Sequence, residues 1–358
     1  METGTIGITT RRVTLDDPVA ALDWAKAVEG GPPQLSVRWL VCHGAGFDRP
    51  CEYAVAYAEG RPVAVAVFHL RFDTDDHTKY RLSNHIDAAG PGLPFEGAED
   101  LLGEPSVVVV APSSYVSGLH VAADAGRRTA RAAAGALLRL VGRVAAESGA
   151  GSVFLPHLPD PAPGWLAEEI SGPSHLFPMG ASAYLDLGGM STFGEYLSGF
   201  TAKRRREVVR ERRAFAAAGL RIETSPVVTV SSDVVRRQVG HYRRYGLVSS
   251  EERISGQFHS LQKEYEGRLL FLKVIRGDSG VIGHVLAIQE ADWLVPKLAG
   301  FEGREGFAYF EATYYAMIEW ALRGPRCARI DYGGAAIDAK VRRGCRVRPL
   351  QGALLLPR

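Results

Sequence analysis

The order in which short β-prone runs and one long helix recur is what most limits how this chain can fold. Tyr53–Tyr57 and Val63–Phe68 flank the turn Glu59-Gly60-Arg61-Pro62 and read as a hairpin. A buried-strand run, Val107–Val110, follows, then a helix over Arg127–Glu147 and a strand at Ser152–Leu155. The helix carries an apolar stripe through Ala134, Leu137, Leu138, Val141 and Val144, and Gly149-Ala150-Gly151 stops it. The same order returns later: strand Leu269–Ile275, a turn at Gly277–Gly280, strand Val281–Gln289, and a third strand over Trp293–Ala299. A helix over Phe307–Leu322 and a strand at Ala328–Tyr332 complete it. Spacings and residues differ between the two passages, so the repeat is one of architecture. Strands mixed with crossover helices in each half predict an α/β protein of two lobes, each a mixed sheet flanked by helices. The 358 residues suffice for two cores at roughly 150 residues per domain. The boundary is expected at Gly188-Gly189, giving lobes at 1–188 and 189–358, with an irregular Gly/Pro-rich insertion over 71–105.

Charge is concentrated where the second lobe begins. A helix is expected over about 193–218, ended by Gly219, with Leu197, Phe200, Val208 and Phe215 near one face. Between Lys203 and Arg213 stand seven basic and two acidic residues, a net +5 in a chain whose total is +2. One reading is a solvated face laced by Glu207 and Glu211 at i,i+3 and i,i+4 spacing. The other is a phosphate-binding surface in which Arg204, Arg205 and Arg206 hold an anionic substrate. So dense a run of like charge exceeds what a structural helix needs, which favours the second.

Several function classes are excluded by what the sequence lacks. No apolar run reaches the ~18 residues that span a bilayer, and the first residues carry no apolar secretory core. The expected address is the cytoplasm. Cys42, Cys51, Cys327 and Cys345 form no CxxC pair and no metal-ligand spacing, so they read as reduced thiols. There is no P-loop, no dinucleotide GxGxxG and no supported nucleophile triad. Neither a cofactor nor a metal nor a DNA partner is called for.

The carboxyl end holds the sharper candidates. In Ile330–Cys345 a strand runs into Gly333-Gly334, and Lys340 and Gly344 follow. Lys340 is either a loop lysine or the cation that stabilises a tetrahedral oxyanion. Asp331 can orient an amine or act as base. Glu311 and Tyr314 can line an acceptor pocket, and Tyr332 can do so or belong to the core. His284, inside a strand, is a general base or a packed histidine. His241–Tyr245 mixes aromatic and basic residues, as nucleic-acid surfaces do.

These segments carry a family resemblance. The helix Leu197–Gly219 resembles the basic segment of the Fem family. Tyr309–Tyr315 with Trp320-Ala321, then Asp331-Tyr332-Gly333-Gly334 and Lys340-xxx-Gly344, is similar to the C-terminal signature of Fem-like transferases and the related peptidoglycan biosynthesis/recognition group. The resemblance implies two tandem lobes of the GNAT fold joined by the basic helix. It also implies transfer of an aminoacyl group from aminoacyl-tRNA to an amine, by direct aminolysis. Lys340 would then face the carbonyl, with Asp331, Glu311 or the departing ribose oxygen as base. The expected acceptor is an amine-bearing small molecule, such as a natural-product intermediate, or a cell-wall precursor. No helical arm of the kind that family members use for tRNA is predicted. An acyl-CoA donor is the alternative. The GNAT pyrophosphate loop, [QR]-x-x-G-x-[GA], finds its nearest matches at Arg128–Ala133, where the first glycine is replaced, and Gly300–Gly306, where the spacing is wrong. A non-catalytic binding module on this fold is the third class.

Overall fold

The computed structural model describes residues 7–44, 50–72, 104–170, 175–244, 249–278, 280–303, 305–324 and 327–356, with isolated positions at 80, 82–83, 101 and 247. Most of the insertion read over 71–105, and Tyr245, Ser279 and Arg304, lie outside the described residues. The chain divides into two compact units: Met1–Ser182 with Arg348–Arg358, and Ala183–Val347.

The first unit begins with β1 (Ile8–Val13), α1 (Pro18–Ala27) and α2 (Val37–Gly44). The hairpin β2 (Glu52–Ala58) and β3 (Arg61–Arg71) follows, then β4 (Ser106–Val108) and β5 (Leu119–Val121). Helix α3 (Arg127–Glu147) crosses over to β6 (Ser152–Pro159), and α4 (Gly164–Glu169) closes this stretch. On the hairpin, Ala54, Ala56, Ala64 and Ala66 face α3, while Val55, Val65 and Val67 face α1 and α2. Alternate residues point to opposite faces, and both faces are covered, so the hairpin reads as an unbroken apolar run.

Strand β7 (His175–Asp186) leads into the second unit. There follow α5 (Phe193–Ser198), α6 (Ala202–Ala217), β8 (Leu220–Ser225), α7 (Ser232–Arg244) and α8 (Glu251–Glu264). The meander β9 (Leu269–Arg276), β10 (Val281–Glu290) and β11 (Trp293–Phe301) comes next. A crossover helix, α9, over 308–323 leads to β12 (Arg329–Gly333), the short α10 (Ile337–Val341) and β13 (Arg346–Leu355). Ala312, Tyr315 and Ile318 of α9 seat against Leu270, Leu272, Val285 and Leu294 of the sheet, beside Val208 and Phe215 of α6.

The repeat of architecture is close. In each unit four strands run antiparallel, the fourth pairs in parallel with a fifth after a crossover helix, and a sixth closes the edge antiparallel. The orders are β1-β2-β3-β4-β6-β13 and β8-β9-β10-β11-β12-β7. The closing strands are borrowed along the chain: Leu350–Leu355 of β13 pairs with β6, and Ala183–Asp186 of β7 pairs with β12. The strand expected to end the first lobe therefore opens the second unit, and the last residues return to the first.

One local expectation is corrected. The basic helix is not continuous over 193–218: it breaks at Gly199–Thr201. Thr192 caps α5 through a capping box with Glu195, and Thr201 caps α6 by accepting from the Arg204 N–H at 3.3 Å. Two hydroxyl caps nine residues apart outweigh the helical pattern that runs through them.

Candidate functional site

The parallel pairing of β11 with β12 lasts only for Trp293↔Arg329 and Leu294↔Ile330. Beyond it β12 keeps only its pairing with β7, which runs from Arg329 to Gly333, and β11 stays with β10 through a bulge at Lys297. The strands separate at their carboxyl side, the position where open α/β sheets bind ligands. Asp331, Tyr332 and Gly333 stand at that separation.

The turn leaving β12 is held from within. Asp331 Oδ1 accepts from the Gly333 N–H at 2.8 Å. Lys340, buried, donates through Nζ to the carbonyls of Tyr332 at 2.7 Å, Gly333 at 2.9 Å and Gly334. An ammonium has three N–H bonds, and all three are engaged. Burial pushes Lys340 down to about 8, opposed by its proximity to Cys345 and Asp331. The clamp holds Ala335 and Ala336 in the left-handed region, at φ 60° and 46°, where residues with a Cβ are strained.

On α6 the helical period sorts the charges. Arg204, Val208, Glu211, Arg212 and Phe215 face inward, whereas Lys203, Arg205, Arg206, Arg210 and Arg213 face solvent. The inward cations are matched. Arg204 donates from Nη1 to Glu207 at 2.7 Å and from Nε to the Arg342 carbonyl. Arg212 grips Glu319 with both Nη atoms, at 2.8 and 3.2 Å, reaches Glu311 Oε1 at 3.0 Å, and lies over the Phe193 ring. Glu211 accepts from the Tyr315 hydroxyl and, at 3.2 Å, from Arg343. Arg343 itself lies 3.5 Å above the Phe310 ring and 5.1 Å from that of Tyr314. Tyr314 in turn stacks on Tyr332 at 4.6 Å. Glu311 opens a π-helical turn, Glu311–Ala316, within α9, a distortion that recurs at functional sites. Burial raises the Glu311 carboxyl above its ordinary value, opposed by Arg212.

Of the residues singled out by sequence, Arg204, Glu311, Tyr314, Asp331, Tyr332 and Lys340 join this one connected set. Arg205 and Arg206 lie on its outward face. His284 does not join it. It is wholly buried on β10, with Nε2 3.1 Å from Gln238 Oε1 of α7 and with Phe258 and Phe271 beside it. Burial holds it down to about 3, so it is a neutral core histidine at physiological pH. The unfolded chain, titrating near 6.5, takes up its proton first as pH falls, so this histidine removes stability progressively below about 6.5. Between pH 7 and 5 the native protein should lose ~2 kcal/mol more than the His284→Asn variant, read by urea unfolding. Equal losses would refute the assignment.

Sequence reading missed Glu211, Arg212 and Arg343. The signal for the first two was available: counted from Arg204, the spacings 4, 7, 8 and 11 reach Val208, Glu211, Arg212 and Phe215. Nothing local marks Arg343, because its partners come from α6 and α9.

Comparison with known proteins agrees with this architecture. A family model, FemAB-like, described as peptidoglycan biosynthesis/recognition, matches residues 104–354. The chain belongs to the FemAB-like family. Among solved structures, this FemAB-like protein is similar to FemX, with TM-score 0.62, 9% identity and 96% of each chain covered. It is also similar to a tandem GNAT protein from the clavulanic acid biosynthesis pathway, with TM-score 0.57, 14% identity, and 97% and 98% of the two chains covered. The L-PGS of Bacillus licheniformis aligns with TM-score 0.53 at 12% identity, covering 94% of this chain and 91% of the other. No curated protein sequence matches it. The FemAB-like protein is thus an acyltransferase built of two tandem GNAT-like units. Among its described residues no helix is long and apolar enough to cross a membrane.

Proposed function

We propose that this protein transfers an aminoacyl group from aminoacyl-tRNA to an amine acceptor, in the second unit. The outward face of α6 is the observation that carries the reading. Because Arg204 and Arg212 are paired with carboxylates of the same unit, the remaining Lys203, Arg205, Arg206, Arg210 and Arg213 form an exposed cationic row. Such a row suits a polyphosphate backbone, whose binding is driven by counterion release.

An acyl-CoA donor is less well served. Its pyrophosphate needs a crossover-helix N-terminus free of negative charge. On α3, Glu168 pairs with Arg127 and, at 2.9 Å, with Arg131, and Glu169 reaches Arg131 at 3.3 Å, so carboxylates crowd the first turn. Ahead of α9 stand Glu302 and Glu305, the latter paired with Arg276.

In the proposed reaction the acceptor nitrogen attacks the ester carbonyl at the separation of β11 and β12. The N–C bond forms, the C–O bond to the ribose breaks, and the ribose oxygen leaves with a proton lost by the amine. No covalent enzyme intermediate is required, since the ester is already activated and alignment of the two substrates supplies much of the rate. With its donors committed to the turn, Lys340 contributes by shaping the backbone there. The acceptor fits an amine-bearing metabolite or a cell-wall precursor, in keeping with the family's description. The test is amide formation by the purified protein from charged tRNA and candidate amines. RNase treatment should abolish it. Equal product from acyl-CoA, insensitive to RNase, would overturn the choice of donor.

A further inference from the structure

The segment from Tyr332 to Cys345 is tied to the rest of the second unit by several contacts, and one buried side chain makes the most of them. Arg343 is 3% exposed. Its Nη2 donates to Glu211 of α6 at 3.2 Å, and its Nη1 returns to the Ala339 carbonyl at 2.9 Å. Its plane covers Phe310, and beyond Tyr314 the stack continues to Tyr332, whose own carbonyl accepts from Lys340. The neighbouring backbone is fastened to the same elements. The Tyr196 hydroxyl donates to the Arg343 carbonyl at 2.9 Å, Arg204 Nε donates to the Arg342 carbonyl, and Gly344, at φ 80°, lies against Phe200 and Tyr196.

We infer that Arg343 is a positioning residue for group transfer. It fixes the Tyr314–Tyr332 stack against α6, and through Tyr332 it sets the backbone where β11 and β12 part. The inference rests on the transfer site lying at that separation. A guanidinium is needed because one group must sit over the Phe310 ring, next to that of Tyr314, while donating sideways to a carboxylate and a carbonyl. An ammonium can keep the charge and one hydrogen bond, but it cannot stack. The exposed arginines of α6 are not part of this device, so binding of the donor's phosphates and alignment at the turn are separable properties.

The experiment compares Arg343→Lys and Arg343→Met with the native protein, using whichever of charged tRNA or acyl-CoA the native protein consumes. Failure of the donor assignment therefore shows up in the native protein, independently of Arg343. Expected for Arg343→Lys is a fall in kcat of about 10- to 100-fold per folded molecule, with the donor KM within about twofold. The near-UV circular dichroism of the stacked tyrosines should change. Arg343→Met should fall further, and added guanidinium at millimolar concentration should restore part of its kcat. An unchanged kcat per folded molecule in Arg343→Lys, or a loss confined to donor KM, would overturn the proposal.

Discussion

Replacing Glu211 by alanine is expected to destabilise the protein by about 3–5 kcal/mol, the cost typical of breaking a buried ion pair from one side. Glu211 is 7% exposed and sits among Tyr315, Arg343 and Arg204, with Arg204 Nη1 at 3.8 Å. Its removal leaves the guanidinium of Arg343 buried without a counter-charge and the Tyr315 hydroxyl without its acceptor. Arg204 keeps Glu207, so the loss falls mainly on Arg343. Glu211→Gln retains an acceptor for Tyr315 and should cost less than alanine. Arg213→Ala, on the solvent face, should stay within ~0.5 kcal/mol. Urea unfolding followed by tryptophan fluorescence separates the three. A Glu211→Ala midpoint equal to that of Arg213→Ala would mean that the charges beneath α6 contribute nothing to the fold.

Replacing Lys340 by methionine should reduce kcat by about 100-fold, the penalty for a misplacement near 1 Å at a reacting centre. Methionine matches the length of the lysine stem and its burial but donates nothing. The carbonyls of Tyr332, Gly333 and Gly334 then lose their shared donor. Ala335 and Ala336, held at positive φ, are free to relax toward ordinary backbone. The turn moves, and with it the end of β12. Because the cationic row of α6 lies elsewhere on the helix, donor binding should change by less than about twofold. Steady-state kinetics with a thermal-melt control measures this. Full turnover in a folded Lys340→Met protein would sever the turn from catalysis.

Both predictions concern groups whose place was legible in the sequence to different degrees. Lys340 stands out there because it follows a strand and a glycine pair, but the same spacing suits an oxyanion donor and a backbone clamp alike. Only the three carbonyls gathered around Nζ separate the two. Glu211 is visible as one of two acids in a basic run, and the inward side of that run follows from the 3.6-residue period. That the inward charges are paired depends on Glu311 and Glu319 for Arg212 and on Arg343 for Glu211, which lie 99 to 132 residues away along the chain.

By itself the sequence determined the apolar runs and the turn that make β2 and β3 a hairpin, the crossover helices α3 and α9, and the net charge of α6. These follow from local period and composition, which need no partner to be read. The tertiary structure decided which strand closes each sheet, since β7 and β13 are chosen by edge pairing across long separations. It also decided that His284 is a core residue, and that Arg343 joins α6 to the end of β12. A contact between segments distant in sequence leaves no periodic trace in either one, and so the final loop acquires its geometry only when the helices beside it are in place.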